Sequence, residues 1–229
     1  MSDIVKKIPM ARVTLTFADN LGPGIHAHTL RGAIATLFPE EDLLHQHLGG
    51  KFLYRYPRIQ YRWQGTKGFI VGFFEGAHLL AKLPLLEKTL VIEGISTQIT
   101  NAEMRFSLEQ VEIAAQSQSY SLVSPWLPFN QENFERYSKM GKFEGIRECE
   151  RIAIGNLLTA FRGLGVEIQE RITVSFQHQR QMTCKYKNQN FLGFLGTFLS
   201  NIILPDDFAI GKAVSHGFGW LKKGNGFPD

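Results

Sequence analysis

The order of strand and helix patterns near the start of the chain limits its fold more than any other feature. Residues 12–17 alternate apolar and polar side chains, which predicts a strand. Leu30, Ile34 and Leu37 have helical spacing, which predicts a helix over residues 26–37. The next predicted elements are a hairpin of residues 51–63 and 69–74, a short helix over 77–88 bent at Pro84, a strand over 89–93 and further strand over 96–115. The order β-α-β-β-α-β is that of a ferredoxin-like domain.

The second half of the chain predicts a comparable order with weaker patterns. Strands are expected at residues 119–126 and 166–176. Between them, residues 131–163 carry an apolar stripe that predicts one helix, with Gly163 or Gly165 at its end. Two similar α+β halves, packed as one unit, fit this order.

Positive charge is distributed unevenly along the chain. Lys and Arg number 25 against 21 Asp and Glu, which gives a net charge of +4. Of the 25 basic residues, 12 lie in windows that contain no acid, residues 51–67, 171–204 and 211–223. Such segregation predicts a basic surface that follows a phosphate backbone. The alternative is a set of strands that carry solvated Lys and Arg side chains.

Cysteine and hydropathy patterns exclude several classes of protein. Cys149 and Cys184 are too few for a disulfide framework or a four-cysteine zinc site, so we expect reduced, buried thiols. The first residues lack the apolar region of a signal peptide, and the longest apolar stretch, residues 191–204, is too short and too interrupted to span a bilayer. We therefore expect a cytoplasmic, soluble protein with no membrane partner.

His45 and His47 follow the first predicted helix and are candidate catalytic residues. In an extended segment both imidazoles point the same way, which suits a general acid and a general base acting on one phosphate. Cleavage of RNA by its own 2′-hydroxyl needs such a pair. It also needs a donor for the charge of the transition state, which Lys51 could supply, while Tyr54 or Tyr56 could orient the substrate. The alternative is an exposed polar loop.

A second histidine pair, His26 and His28, precedes the first pair. Four histidines could hold zinc, but no Asp, Glu or Cys with tight spacing accompanies them. Positions i and i+2 of a helix also face apart, which argues against a shared metal ion. We therefore expect no metal site. A small-molecule or metal enzyme that uses these histidines stays as an alternative function.

The hairpin and a later strand pair combine aromatic rings with cations. The candidate RNA-binding residues there are Tyr56, Arg58, Arg62, Arg180, Lys185 and Lys187. Single-stranded RNA is bound by base stacking on rings and by cations on phosphates, so this combination suits RNA. The alternative is a solvated strand with core tyrosines.

A Gly-rich segment near the C-terminus is the most informative part of the sequence. Its candidate RNA-binding residues are Gly211, Lys212, His216, Gly217, Gly219 and Lys222. Glycines among basic residues can expose main-chain N–H groups to phosphate oxygens. The alternative is a tight loop between secondary-structure elements.

Three segments of the sequence resemble one known superfamily. The pattern Gly211-Lys212 … Ser215-His216-Gly217-Phe218-Gly219 resembles the Gly-rich signature of the RAMP (repeat-associated mysterious protein) superfamily of CRISPR systems. The run Thr29-Leu30-Arg31-Gly32-Ala33-Ile34 is similar to the start of the first helix in that superfamily. Residues 45–62, which hold His45-Gln46-His47, resemble the CRISPR-associated endoribonucleases that process precursor CRISPR RNA.

The resemblance implies an α+β fold of two tandem ferredoxin-like (RRM-like) domains, residues 1–115 and 116–229, with a Gly-rich loop near the C-terminus. It implies cleavage within each CRISPR repeat without metal or cofactor, leaving a 2′,3′-cyclic phosphate. Together with the reaction chemistry above, it makes His45, His47, Lys51 and Tyr54 the candidate catalytic residues. Precursor CRISPR RNA is the implied partner, other effector subunits are further candidates, and the monomer and the homodimer both stay open.

The resemblance also leaves a second interpretation open. Members of the family differ in which His, Tyr and Lys residues act, and some bind RNA without cleaving it. The alternative function is therefore a non-catalytic, RNA-binding RAMP subunit of a CRISPR effector complex.

Overall fold

The computed structural model describes residues 6–22, 24–45, 47–48, 51–52 and 56–224. The first ten elements are β1 (Lys6–Phe17), α1 (Ala27–Leu37), α2 (Asp42–His45), β2 (His47–Leu48), β3 (Lys51–Phe52), β4 (Ile59–Gln64), β5 (Lys67–Phe73), α3 (Glu75–Lys82), β6 (Thr89–Ile92) and β7 (Ile95–Trp126). They are followed by α4 (Gln131–Tyr137), α5 (Lys142–Leu164), β8 (Val174–Tyr186), β9 (Gln189–Ile203), a 3-10 helix (Val214–His216) and β10 (Leu221–Lys223).

The chain divides into two compact units. The N-terminal unit consists of Ile8–Glu109 and Ser215–Gly217. The C-terminal unit includes Gln110–Val214 and the residues from Phe218 onwards. The α+β class is confirmed, and the predicted domain ranges, 1–115 and 116–229, stay predictions.

The N-terminal unit has the strand order β4-β5-β1-β7, which is that of a ferredoxin-like sheet. β1 and β4 each pair with β5 in antiparallel register. The strand predicted over residues 89–93 exists, but its predicted position as the fourth strand of the sheet is wrong: β6 lies off this path and pairs with the start of β7. Glu93 and Gly94 both have positive φ, so they form a tight hairpin turn and leave the fourth strand position to β7.

Helix α1 covers the core of the N-terminal unit. Leu30 and Ile34 are fully buried and Leu37 is partly buried, which confirms the predicted stripe. They pack in one cluster with inward-facing residues of β1 such as Val13 and Leu15.

Two predicted elements of the N-terminal unit are shorter than expected, and a proline accounts for each. The strand predicted over residues 51–63 is not continuous, because Pro57 precedes β4 and has no N–H for the ladder. The predicted helix over residues 77–88 instead begins at Glu75 and ends at Lys82, and Leu83 is extended before Pro84.

The C-terminal unit has the strand order β8-β9-β7-β10. Its strands correspond, in that order, to β4, β5, β1 and β7 of the N-terminal unit, so the ferredoxin-like order occurs a second time. The helix predicted over residues 131–163 is two helices, because Gly141 is extended and starts α5 as its N-cap. Gly165 ends α5 in the left-handed conformation, as predicted. The strand predicted from residue 166 begins only at Val174.

Aromatic rings dominate the core of the C-terminal unit. Trp126 is fully buried, stacks on Phe176 and donates from Nε1 to Asn156 Oδ1 at 2.9 Å. Cys149 and Cys184 are buried free thiols, as expected. Across the described part of the chain, no helix has the length and apolarity needed to cross a membrane.

Candidate functional site

The candidate catalytic residue His45 is the last residue of the short helix α2. Its main-chain carbonyl accepts a hydrogen bond from Arg31 Nη2 at 3.1 Å. Carbonyls at a helix C-terminus have no partner within the helix, so a cation there satisfies one of them. Arg31 is half-buried and is the only lysine or arginine within α1.

The guanidinium of Arg31 also contacts His216 of the Gly-rich segment. Arg31 Nη1 lies 3.2 Å from His216 Nε2, and Ser215 Oγ lies 3.1 Å from His216 Nδ1. A guanidinium has donors only, so Nε2 is the acceptor in this contact. The ring proton then lies on Nδ1 and is donated to Ser215 Oγ, which defines a neutral tautomer of His216.

Gly217 lies against α1, within the N-terminal unit. Its φ is +94°, and a β-carbon at this position would lie 2.4 Å from Ala27 Cβ and 3.3 Å from Tyr61 O. Only glycine fits both the positive φ and the close approach. The main chain beside His216 is thereby fixed against the helix that carries Arg31.

Two other glycines of the segment are also explained by packing, here within the C-terminal unit. A β-carbon on Gly211 would lie 2.6 Å from Trp126 Cδ1, and one on Gly219 would lie 1.9 Å from Ile210 O. Both have positive φ. The tight-loop interpretation therefore accounts for these glycines, and phosphate binding by the loop stays a prediction.

Tyr61 is fully buried in the N-terminal unit near the charge of Arg31. Burial raises the pKa of its hydroxyl, and the positive charge of Arg31 opposes this effect. Among the described residues, Tyr61 Oη has no hydrogen-bond partner. Tyr61 therefore belongs to the core of the N-terminal unit.

The remaining predicted catalytic residues lie outside the part of the chain whose side chains are described. The main chain of His47 pairs with that of Phe52 across β2 and β3. The side chains of His47 and Lys51, and all of Tyr54, fall outside the described residues. Their roles stay predictions.

The hairpin residues predicted to bind RNA are largely buried. Tyr56 is 8% exposed and Arg62 is 1% exposed. Arg62 donates from Nη1 to Tyr61 O at 2.9 Å and from Nη2 to Gln60 Oε1, so its charge is used within the protein. The side chain of Arg58 is 12% exposed and forms an ion pair with Glu75, Nε to Oε1 at 3.0 Å. Buried side chains of this kind cannot stack on bases without rearrangement, and RNA contact by Tyr56, Arg58 and Arg62 stays an untested prediction.

The basic residues predicted on the later strands are exposed in the C-terminal unit. Arg180 lies in the middle of β8, and Lys185 lies near its end. Lys187 and Asn188 both have positive φ and form the turn between β8 and β9. Lys212 and Lys222 are exposed as well.

Aromatic rings that the sequence interpretation missed lie among these lysines. Tyr186 is 6.0 Å from Phe191 and 5.9 Å from Phe218 between ring centroids, and the three form what we call the aromatic cluster. Lys187 Nζ lies 5.6 Å from the centroid of Tyr186, and Lys212 Nζ lies 6.0 Å from that of Phe191. Alternating rings and cations are a known combination for single-stranded nucleic acid.

The second histidine pair differs from expectation in its geometry. His26 precedes α1 as its N-cap, and its ring stacks on that of His28 with centroids 5.4 Å apart. The expectation that the two rings face apart is therefore wrong. Burial of part of the ring lowers the pKa of His28, the charge of His26 lowers it further, and Glu93 opposes both. Among the residues that the structure describes, no three His, Cys, Asp or Glu side chains are grouped closely enough to hold a metal ion.

Comparisons with known proteins identify relatives of both units. A family model of the Cas6b N-terminal domain matches residues 6–110, and a model of the Cas6b C-terminal domain matches residues 112–224. An uncharacterized protein of Methanocaldococcus jannaschii is 29% identical over 133 residues, which are 58% of this chain and 90% of that protein.

Solved structures share the fold over almost the full length. A crystal structure of Cas6b has a TM-score of 0.85 and 27% identity, and the match covers 95% of this chain and 99% of that one. A crystal structure of the CRISPR RNA processing endoribonuclease Cas6b has a TM-score of 0.72 and 23% identity, covering 94% of this chain and 99% of that one. The α+β fold predicted from the sequence is that of these structures.

Proposed function

This chain belongs to the Cas6b family, and we propose that it is an endoribonuclease that cleaves the repeats of precursor CRISPR RNA. Family models match both units, over residues 6–110 and 112–224. One solved structure with this fold is of a CRISPR RNA processing endoribonuclease. Within this chain, the observation that carries the proposal is the Arg31 guanidinium between the main chain of His45 and the ring of His216.

The proposed reaction is attack of a ribose 2′-hydroxyl on the adjacent phosphorus. One imidazole of the pair His45 and His47 takes the proton of the 2′-hydroxyl, and the other gives a proton to the departing 5′-oxygen. The P–O5′ bond breaks as the new P–O2′ bond forms, so the products are a 2′,3′-cyclic phosphate and a 5′-hydroxyl. Lys51 stabilises charge on the phosphate oxygens, and Tyr54 orients the substrate.

Histidine is suited to both proton transfers, because its usual pKa lies near neutral pH. The histidine pair supplies the general acid and the general base, and Lys51 supplies the positive charge near the phosphate. The proposed mechanism therefore requires no metal ion or other cofactor. Of the proposed catalytic side chains, His45 is the one that lies within the described residues, at the end of α2. Arg31 connects that end of the helix to α1 through its hydrogen bond to the His45 carbonyl.

The C-terminal unit is proposed to hold the RNA. Arg180, Lys185 and Lys187 are exposed along β8 and its turn, where they can pair with backbone phosphates. The aromatic cluster between Lys187 and Lys212 offers rings for unpaired bases.

Cleavage of a repeat RNA by the purified protein tests this proposal. We expect one cut per repeat, an unchanged rate in EDTA, and a product whose cyclic phosphate is opened by acid. A single 2′-deoxy sugar at the cut site should abolish the cut. Binding without any cleavage would favour the non-catalytic RNA-binding subunit, and loss of activity in EDTA would favour a metal-dependent enzyme.

A further inference from the structure

Arg31 joins two segments of the N-terminal unit that are far apart in the chain. Its contact with His216 spans 185 positions, and its contact with His45 spans 14. Both terminal nitrogens of the guanidinium are engaged, Nη1 with the His216 ring and Nη2 with the His45 carbonyl. The planar fork of arginine can make both contacts at once in fixed directions, which the single ammonium of lysine cannot reproduce.

Contacts at both ring nitrogens hold His216 in place, and a third contact fixes the main chain beside it. Ser215, which is 4% exposed, presents its Oγ to Nδ1, and Arg31 approaches Nε2 from the other side. Gly217 packs its Cα against Ala27 and so fixes the following main chain. A ring held at both nitrogens keeps one tautomer and one orientation.

The end of α2 depends on this support. The helix has four residues, Asp42–His45, so it has few hydrogen bonds of its own. The bond from Arg31 Nη2 to the carbonyl of His45 fixes the main chain directly beside the proposed catalytic imidazole. A shift of about 1 Å in a reacting group can lower a rate by about a hundredfold.

We infer that Arg31 is a positioning residue for His45, and that His216 acts through Arg31 as a neutral acceptor rather than as an acid, a base or an RNA contact. This inference rests on the proposed function, in which His45 transfers a proton. It assigns a role to Arg31, and it replaces the predicted RNA contact of His216 with a contact inside the protein.

Variants of His216 separate these roles in single-turnover cleavage of repeat RNA. His216→Ala removes the acceptor, and we expect the cleavage rate to fall about 10- to 100-fold with the Kd for RNA within about twofold of the parent value. His216→Gln places an amide oxygen near the position of Nε2 but cannot transfer a proton. We expect it to cleave within about threefold of the parent rate.

Arg31→Lys tests the guanidinium itself, because it keeps the positive charge but cannot contact His216 and His45 at the same time. We expect its cleavage rate to match that of His216→Ala, again with the Kd unchanged. His78→Ala changes an exposed histidine of α3 and should leave rate and Kd at their parent values.

Three outcomes of these assays would overturn the inference. If His216→Gln is as slow as His216→Ala, the histidine acts through its ring proton. If His216→Ala weakens RNA binding without slowing the cut, the histidine contacts RNA. Full activity of Arg31→Lys would equally remove the positioning role of the fork.

Nuclear magnetic resonance of the RNA-free protein gives a readout that needs no activity. Long-range proton–nitrogen correlation of the imidazoles should show the proton of His216 on Nδ1 in the parent protein. The same ring in Arg31→Ala should show a mixture of tautomers, since its acceptor contact is gone. A proton on Nε2 in the parent protein would contradict the inference. A protein that does not cleave RNA at all but shows the Nδ1 proton would instead contradict the proposed function.

Discussion

Gly217 lies so close to Ala27 that a β-carbon at position 217 would be 2.4 Å from the β-carbon of Ala27. This contact brings Ser215–Gly217 onto α1, within the N-terminal unit. It sets where His216 meets Arg31, and its consequences for stability can be measured directly.

We expect Gly217→Ala to lower the free energy of unfolding by about 2–4 kcal/mol. The residue has a φ of +94°, and the new methyl group would overlap with Ala27. Gly32→Ala is the matched control, because Gly32 lies in the exposed part of α1 with no atom within 4 Å of a β-carbon. The control should stabilise by about 0.5–1 kcal/mol. Urea denaturation followed by circular dichroism measures both, and equal midpoints for the two variants would contradict the packing role.

The double variant His45→Ala/His47→Ala should bind repeat RNA with nearly the parent affinity and cleave it at least about 100-fold more slowly. Removal of a general acid and a general base lowers a rate by about 10²–10⁴-fold for each group. His78→Ala is the control for loss of a histidine outside the site. Cleavage rates come from single-turnover assays and affinity from filter binding. Undiminished cutting by the double variant would remove both residues from the mechanism.

Lys185→Gln/Lys187→Asn should weaken RNA binding in a salt-dependent way. Each lost phosphate contact on single-stranded RNA reduces the slope of log K against log salt by about 0.7. Asn is chosen at position 187 because it tolerates the φ of 47° found there. Lys139→Gln/Lys142→Gln removes the same charge from two exposed positions, one in the turn before α5 and one at its first residue. The prediction fails if both pairs of substitutions change the slope equally.

Glu148 should contribute to stability at neutral pH and not in acid. The hydrogen bonds from Arg151, at 2.7 Å, hold the pKa of the Glu148 carboxyl below its usual value, and the charges of Arg151 and Arg136 act in the same direction. A carboxyl with a lowered pKa stabilises the fold above the pKa of the unfolded chain, and this contribution is lost as the pH falls through the folded pKa.

We therefore expect Glu148→Gln to lower the free energy of unfolding by about 1 kcal/mol at pH 7, with the difference shrinking as the pH falls below the usual pKa of a glutamic acid and then through the lowered pKa of Glu148. Glu144→Gln, an exposed carboxylate one turn earlier in α5, serves as the control and should change little at either pH. Thermal melts of the parent and both variants across this pH range measure the effect. A constant difference between parent and Glu148→Gln at all pH values would show that the carboxylate charge is irrelevant.

Cys149 should resist thiol reagents in the native state. Burial raises the pKa of its thiol to about 12, the nearby side chain of Gln179 opposes this, and the charges of Glu148 and Glu150 add to it. Because the thiolate is the reactive form, labelling of the native protein at pH 8 should be at least about a hundredfold slower than in urea. The Cys184→Ser variant isolates the signal of Cys149. Rapid native labelling of that variant would contradict the burial of Cys149.

Some of the fold could be predicted from local patterns alone. The stripe of Leu30 and Ile34 gave α1 with its buried face, and Gly165 gave the end of α5, because each depends only on residues within a few positions. Breaks in main-chain pairing were harder to place. One example is the start of β4 after Pro57, and another is the extended Gly141 that separates α4 from α5.

The residue types of the candidate site could be predicted from the sequence, but the contacts and the burial of these residues could not. The histidine pair and the Gly-rich segment were found from the sequence because they are short, continuous motifs. The burial of Arg62 beside Tyr61 was not, since alternation along a strand does not say whether both faces are covered. Nor does any pattern near Arg31 indicate that it meets His216, which lies 185 positions away.

By itself, the sequence determined the alternation of strands and helices and the family resemblance, and it suggested the proposed chemistry of the histidine pair, because these reside in local spacing and side-chain type. Only the tertiary structure decided that β7 takes the fourth strand position, that Gly217 is needed against Ala27, and that Arg31 is held between His45 and His216. The physical reason is the same in each case: the contacts join residues distant in the chain, and the packing of the folded core selects them.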